Sequence, residues 1–258
     1  MTLNLIVLLS PLFAIPLAAQ PPKKSVTLEQ EVVSVAIDRP GDLYVTLFNG
    51  KLLRIDSDGT ISPLTEVSHL PALFDPRDGS RLFAYYRDDQ RYVYFSISRE
   101  MSSHLLDSAF AIQPWLVCPS GDHNVWIADA ADNVIRKINS TTSRVDAEIP
   151  FGSTVSAIRY MREYQGFLFV LHPSRGIVVF SAMGKELRTI GTGAIAYFNF
   201  LGEDLYYADN NQQLSFFNLF NAETRTMKLP RKATFSLVTD TRVFSVNGRT
   251  VDIFETPR

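Results

Sequence analysis

A short apolar-aromatic triplet recurs along the chain, and this repeat constrains the fold more than any other feature of the sequence. The triplets begin at Leu43, Leu82, Val125, Leu168, Leu205 and Val243. The steps between their first residues are 39, 43, 43, 37 and 38 residues. Five of the six triplets directly follow a turn signal such as Pro40-Gly41-Asp42, and the sixth follows a weaker turn at Asp240-Thr241. A period of about 40 residues predicts an array of equivalent structural units.

Each unit contains three or four runs of β-forming residues. A second run starts eight to ten residues after the start of each triplet, as at Leu52–Ile55 and Ile177–Phe180, so the two runs predict a hairpin. A more polar run follows most second runs and is typical of an edge strand. A third run precedes each triplet: Val32–Ile37, Ala72–Phe74, Trp115–Val117, Val155–Tyr160, Ala194–Phe200 and Thr234–Val238. Four short strands per unit predict an all-β fold, a six-bladed β-propeller with four-stranded blades.

The two ends of the repeat predict how the ring closes. The sixth unit ends at Phe254 without an outer strand, whereas the first unit is preceded by spare β-forming chain at Val26–Val32. We therefore expect the N-terminal strand to close the last blade, within a single domain spanning residues 26–258. The stretch Arg99–Asp107 is the least regular, and a helical turn is an alternative to a strand there. A two-sheet sandwich remains an alternative fold, although it does not predict even spacing.

The N-terminal segment resembles an export signal. Residues Leu3–Leu17 are almost wholly apolar, and the small residues Ala18 and Ala19 follow them. We expect a signal peptide at residues 1–19, an exposed spacer at 20–25 and export to the periplasm, the cell surface or the medium. The mature chain is expected to have no transmembrane segment. A buried N-terminal element and an uncleaved anchor are the alternatives.

One stretch also points to a known repeat family. In Val125–Ile138, a strand ends in Ala128-Asp129 and continues through Asn133 into a strand that carries Arg136. This stretch resembles the core of an NHL-type repeat, and residues 35–45 resemble the strand and turn that precede it. The motif itself is recognisable in about two units, whereas over the whole mature chain only the periodicity resembles that of the family. It implies a divergent NHL-like propeller with a central channel.

The residues of the inner runs and the positions of the histidines argue against catalysis. The inner runs are mostly apolar, and the four histidines, His69, His104, His123 and His172, are not at ligand spacing. We therefore expect no catalytic residue, no metal site, no cofactor and a hub lined by apolar side chains. The formal net charge of −2 gives no basic field for nucleic acid. The lone Cys118 allows no intramolecular disulfide. An NHL-like hydrolase or lyase with a central metal is the alternative.

The corners between the triplet and the second run are the predicted binding surface. They differ in sequence from unit to unit, which suits recognition of one asymmetric partner, either a protein or a glycan. Each single corner could equally be an ordinary turn. The candidate binding residues are Asn49, Arg87, Asp88, Asp129, Asp132, His172, Arg175, Asp209 and Asn210. We expect the protein to be a non-catalytic binding or scaffold module.

Overall fold

Six antiparallel four-stranded sheets form the structure. The computed structural model describes residues 21–64, 70–96, 99–121, 124–191, 193–209, 213–229 and 231–256. The predicted signal peptide, Asn210, His69 and His123 lie outside these ranges. Apart from one 3-10 turn at Val155–Ala157, all regular elements in the described ranges are strands. The predicted all-β six-bladed propeller is therefore confirmed.

The strands follow the order of the repeat. Strand β1 comprises Lys24–Thr27. Blade 1 contains β2 (Val32–Ile37), β3 (Leu43–Leu47), β4 (Leu52–Ile55) and β5 (Ile61–Pro63). Blade 2 contains β6 (Leu73–Asp78), β7 (Arg81–Tyr86), β8 (Arg91–Ser96) and β9 (Arg99–Leu105). Blade 3 contains β10 (Pro114–Pro119), β11 (Val125–Asp129), β12 (Val134–Asn139) and β13 (Arg144–Pro150).

The second half of the chain repeats the same arrangement. Blade 4 contains β14 (Tyr160–Tyr164), β15 (Phe167–His172), β16 (Gly176–Phe180) and β17 (Glu186–Ile190). Blade 5 contains β18 (Phe198–Leu201), β19 (Asp204–Ala208), β20 (Gln213–Asn218) and β21 (Thr224–Lys228). Blade 6 contains β22 (Phe235–Val238), β23 (Arg242–Asn247) and β24 (Thr250–Glu255).

The N-terminal strand closes the ring, as the sequence predicts. Strand β1 pairs antiparallel with β24, with Val26 opposite Val251, and so gives blade 6 its fourth strand. The side chain of Val26 is buried while those of Ser25 and Thr27 are exposed. The two ends of the domain are therefore joined by backbone hydrogen bonds and by one layer of apolar contacts.

The second strand of each blade forms the packed core. All five residues of β3 and β11 are buried, and in blade 4 the stretch from Leu168 to His172 is buried as well. Trp126 in β11 is fully buried, in a cluster that draws residues from blades 2, 3 and 4. Large side chains at these positions fill the wedge between neighbouring blades, which explains why the aromatic residues follow the repeat.

The first strands differ from the predicted third runs in several blades. In blade 4 the predicted run Val155–Tyr160 forms the 3-10 turn, and the inner strand β14 begins where that run ends. In blade 5 the inner strand begins at Phe198, four residues later than predicted. The irregular stretch from Arg99 forms strand β9 and is not a helical turn. These shifts place charged and polar residues on the inner strands.

Candidate functional site

A large cavity lies at one end of the ring. It has a volume of about 1120 Å³. Its walls come from five blades, mainly from loops that join the first and second strands: residues 37–41, 79–80, 164–165, 199–202 and 238–241. We label the first, second and third strands of a blade A, B and C. Consecutive loops of an antiparallel sheet lie at opposite ends of its strands. The end that carries the A–B loops is therefore named the AB face, and the opposite end, which carries the B–C loops, the BC face.

The arginines on the floor of the cavity, Arg77 and Arg162, belong to an ion-pair cluster on the inner strands. Asp75 in β6 accepts hydrogen bonds from the backbone N–H of Arg77 at 2.9 Å and from its guanidinium at 2.8 Å. Arg162 in β14 lies with Nη2 3.8 Å from Asp75 Oδ1. Arg77 also donates to the carbonyl oxygens of Glu163 at 2.6 Å and Pro119 at 3.1 Å. The cluster therefore links blades 2, 3 and 4.

Arg162 is buried but incompletely hydrogen-bonded. Only 6% of its side chain is exposed. Its Nη1 donates to the side-chain oxygen of Asn199 in β18, whereas its buried Nε finds no acceptor among the described residues. Burial lowers the pKa of Arg162, but the neighbouring Asp75 carboxylate and tyrosines raise it by a larger amount. The net pKa lies above the usual value, so the side chain is a permanent cation. Burial also opposes ionisation of Asp75, yet Arg77 and Arg162 keep its pKa below the usual value.

A second buried carboxylate, that of Glu163, stabilises the cluster. Glu163 accepts hydrogen bonds from Ser120 Oγ at 2.7 Å, Trp126 Nε1 at 2.7 Å and the backbone N–H of Gly121 at 2.8 Å. Lys137 Nζ lies 3.8 Å from the same carboxylate and balances its charge. Glu163 therefore fixes the backbone whose carbonyl group holds Arg77, and it joins blade 4 to blade 3.

The wall formed by blade 1 is rigid. Asp38 accepts hydrogen bonds from the backbone N–H groups of Gly41 at 3.0 Å and Asp42 at 2.9 Å, and from the Tyr44 hydroxyl at 3.0 Å. Gly41 has φ +100°, a left-handed conformation that favours glycine, so the residue allows this tight loop. Burial raises the pKa of both Asp38 and Tyr44. Arg54 lies beside them and is paired with Asp42.

Two aromatic rings form an apolar part of the wall beside Arg162. The rings of Tyr164 and Phe200 stack in parallel, with centroids 4.0 Å apart and an interplanar angle of 6°. The Tyr164 hydroxyl donates to the carbonyl oxygen of Gly202 at 2.7 Å, which fixes the ring. The guanidinium carbon of Arg162 lies 5.8 Å from the Phe200 centroid. The cavity thus presents an apolar surface next to a buried cation.

The sequence-predicted binding residues lie on the other face. They occupy the loops and strand ends between second and third strands, so the structure gathers Asn49, Arg87, Asp88, Asp129, Asp132, His172, Arg175 and Asp209 towards the BC face. Asn49, Asp88 and Asp132 are exposed, whereas Asp129 and His172 are buried. Asn210 lies outside the described residues. A binding role for these corners stays a prediction.

Several of these corner residues stabilise their own blades. Asp129 accepts backbone hydrogen bonds from Ile112 at 2.9 Å, Gln113 at 2.9 Å and Ala131 at 3.0 Å. Arg175 donates to Glu186 at 2.6 Å within blade 4. Such bonds are typical of structural turns.

Two further corner residues have neighbours of their own. Arg87 Nε donates to the Trp115 carbonyl oxygen at 2.7 Å, and its guanidinium carbon lies 3.5 Å from the centre of the Trp115 ring. Burial lowers the pKa of His172. The contacts with Trp115 hold the Arg87 side chain against blade 3.

The residues of the cavity floor were not recognised as site residues in the sequence. Asp75, Arg162 and Asn199 are not among the candidate residues that the sequence predicts. The expected apolar hub is therefore wrong for β6, β14 and β18, which carry these three buried polar residues. The signal available in the sequence is the Arg162-Glu163 doublet inside an otherwise β-forming run. Neighbouring side chains of a strand point to opposite faces, so two adjacent charges cannot both lie on the same face.

Two features are absent from the ranges that the structure describes. Within these ranges, no group of three or more His, Cys, Asp or Glu side chains is arranged to hold a metal ion. Likewise, the described part of the chain has no helix with the length and hydrophobicity needed to cross a bilayer.

Solved structures share the fold but not the sequence. A streptogramin B lyase structure matches with 11% identity and a TM-score of 0.57, covering 91% of this chain and 87% of the other. The β-propeller domain of Cps50 (Swd1) from Myceliophteria thermophila matches with 12% identity and a TM-score of 0.60, covering 92% and 99%. The extracellular domain of a B. thetaiotaomicron one-component system matches with 12% identity and a TM-score of 0.54, covering 88% of this chain and 34% of that one. No protein-family model and no curated protein sequence matches the chain.

Proposed function

We propose that the protein is an exported, non-catalytic binding propeller that holds a segment of a partner protein in the AB-face cavity. The observation that carries this proposal is the cavity itself, about 1120 Å³ in volume and built on a floor of buried, mutually bonded side chains. Cavities of this scale are typical of ligand sites, and this one is lined by both polar and apolar side chains. The rigid ring positions these groups before a partner arrives.

The bonding of the polar groups favours binding over catalysis. Asp38 and Glu163 each accept three hydrogen bonds from nearby donors. Asp75 is bonded to Arg77 and lies against Arg162. A general base needs a free lone pair facing the substrate, and these carboxylates direct theirs to protein donors. The structural neighbours include a lyase and an extracellular domain, so the fold alone does not choose between functions.

Export and family kinship rest on the sequence. The apolar run followed by Ala18 and Ala19 supports removal of a signal peptide, and the resemblance of residues 125–138 supports kinship with NHL-type propellers. An extracellular domain among the structural neighbours fits this setting. We propose a protein partner, with a glycan as the competing partner class.

Partner capture with a blocked cavity tests the binding face. A chain that starts at Pro21 is immobilised and exposed to envelope and secreted extracts, and bound proteins are identified by mass spectrometry. Thr241 is exposed on the cavity wall, so Thr241→Trp should block the entrance and abolish capture. The matched variant Asn49→Trp places the same bulk on the BC face and should bind like the wild type. Loss of capture with Asn49→Trp alone would contradict the proposal and favour the blade corners.

Metal analysis tests the alternative enzyme. Protein purified without chelators or metal-affinity resin is analysed by inductively coupled plasma mass spectrometry. The binding proposal predicts metal far below one ion per chain. A stoichiometric ion that a chelator removes, together with loss of a hydrolase or lyase activity, would favour catalysis.

A further inference from the structure

We infer that the cavity floor recognises a carboxylate group on the partner, and that Arg162 is the residue that binds it. This inference rests on the proposed function, because it names the chemistry of the segment that enters the AB-face cavity. Nothing in the sequence motifs points to it. The inference is drawn from the geometry around the buried guanidinium of Arg162.

The first argument is an incomplete set of hydrogen bonds. A guanidinium carries five N–H donors, and a buried one is normally satisfied. Among the described residues, Arg162 makes a single hydrogen bond, to Asn199, and its distance of 3.8 Å from Asp75 is too long for another. Its Nε is buried and has no acceptor there. Arg162 lines the cavity, so a ligand that enters the cavity can bring acceptors to this guanidinium.

The second argument is charge. Two guanidinium groups, Arg77 and Arg162, share the single carboxylate of Asp75, so the cluster has one positive charge in excess. Glu163 does not cancel it, because Lys137 and three hydrogen-bond donors already surround that carboxylate. A monoanion neutralises the excess, whereas a phosphate dianion would leave a net negative charge beside buried Asp75.

The third argument concerns shape. A carboxylate is planar and matches the fork of a guanidinium better than a spherical anion does. The stacked rings of Tyr164 and Phe200 form a flat apolar wall beside Arg162. A carboxylate attached to an apolar or aromatic group would contact both features at once. The carboxylate at the end of a peptide and the side chain of an acidic residue both provide this chemistry.

The cavity depth adds selectivity. Arg162 is buried, so a ligand reaches it only by inserting its charged group into the cavity. The guanidinium of Arg54 near the wall is already paired with Asp42 and offers a weaker attraction.

Arginine side-chain NMR on the unmodified protein tests the inference directly. The Nε–Hε resonance of Arg162 is assigned with the variant Arg162→Lys, and N-acetylphenylalanine is titrated against its amide. We expect the acid to shift this resonance with saturation and the amide to leave it unchanged. Phenyl phosphate should bind more weakly than the acid. Equal shifts from acid and amide, or no shift up to solubility, would overturn the inference and assign the orphan donor to ordered water.

Variants separate this inference from the proposed function. Arg162→Gln should weaken acid binding at least about tenfold, because a charge-assisted bond is lost. Asp75→Asn removes the competing carboxylate and should tighten binding, which a merely structural role would not cause. Arg188→Gln on the exposed edge strand β17 is the control and should change nothing. One outcome is that partner capture is abolished by Thr241→Trp and yet persists in Arg162→Gln and in the presence of N-acetylphenylalanine. That result would refute recognition of a carboxylate by Arg162 and leave the proposed function intact.

A peptide series distinguishes the two sources of the carboxylate. An acetylated tripeptide with a central glutamate and an amidated end presents only a side-chain carboxylate, and its glutamine counterpart with a free end presents only a terminal one. Binding of either peptide, lost in Arg162→Gln, supports the inference and identifies the source. Equal binding of a control peptide with glutamine and an amidated end would contradict it.

Discussion

Arg162 in blade 4 and Asp75 in blade 2 form an ion pair at 3.8 Å, although the two blades are not neighbours in the ring. The pair lies at the floor of the AB-face cavity, and the side chain of Arg77 adds bonds to blades 3 and 4. Both partners are buried, and loss of Asp75 would leave the guanidinium groups of Arg77 and Arg162 without their shared counter-charge. This relationship makes the hub of the propeller polar and gives the cavity its charge.

Asp75 should control the acid stability of the domain. Arg77 and Arg162 keep the pKa of Asp75 below its usual value despite burial. The carboxylate therefore stabilises the fold fully above the unfolded-state pKa of about 3.9, and this contribution is lost as pH falls through the lower folded-state value. Asp75→Asn should lower the free energy of unfolding by about 3 kcal/mol at neutral pH. The difference from wild type should shrink below about pH 4.

Denaturant unfolding from pH 2 to pH 8 measures this difference. Asp58→Asn, at an exposed turn residue, is the matched control and should follow the wild-type curve. A difference for Asp75→Asn that stays constant down to pH 2 would contradict the ion-pair account.

Glu163 should be the most sensitive carboxylate of blade 4. It accepts bonds from Ser120, Gly121 and Trp126, and Glu163→Gln would turn an NH₂ group towards at least one of these donors. We expect a loss of about 2 to 4 kcal/mol in the free energy of unfolding. The Trp126 fluorescence spectrum should change in the folded state as its N–H loses a charged acceptor. Glu148→Gln is the control, since that exposed side chain contributes less than about 0.5 kcal/mol.

The sequence predicts the blades well because their signals are local. A triplet, a turn and a second run lie within about 15 residues of one another, and the hydrophobic pattern alone sets their register. The closing strand is predicted because strand edges need partners, and Val26 does pair opposite Val251. Cys118 is buried in the inner strand β10.

The site could not be predicted in the same way. The partners of Arg162 are Asp75, 87 residues earlier, and Asn199, 37 residues later. The sequence shows the charged pair Arg162-Glu163 but not the groups that balance it, and the predicted inner run of blade 4 ends at Tyr160. A buried charge is tolerated only where tertiary structure supplies its counter-charge, and no local pattern encodes that.

Closure of the ring by β1 should be necessary for stability. Val26→Lys places an unpaired charge in the apolar layer between β1 and β24 and should cost about 3 kcal/mol of unfolding free energy. The neighbouring variant Ser25→Lys adds the same charge on the exposed side and should change stability by less than about 0.5 kcal/mol. Chemical denaturation measures both. Equal effects of the two variants would show that the strand does not close the ring in solution.

Export should leave a mature chain that starts at Gln20. Intact-mass analysis of protein isolated from the envelope or medium of producing cells should show loss of residues 1–19, because signal peptidase cuts after small residues such as Ala19. Ala19→Pro should block processing and leave the precursor with its apolar run attached. A mature protein that retains Met1, with the protein found inside the cell, would refute the export proposal.

Site-specific photo-crosslinking in the producing cells tests the central claim, that the AB-face cavity receives a partner, most directly. A benzophenone amino acid is placed at Thr241 on the cavity wall, at Asn49 on the BC face and at Arg188 on the outer edge, one position at a time. We predict a discrete adduct of one partner protein from Thr241, and little or none from Asn49 and Arg188. An adduct from Asn49 with none from Thr241, or no adduct from any position, would contradict the account.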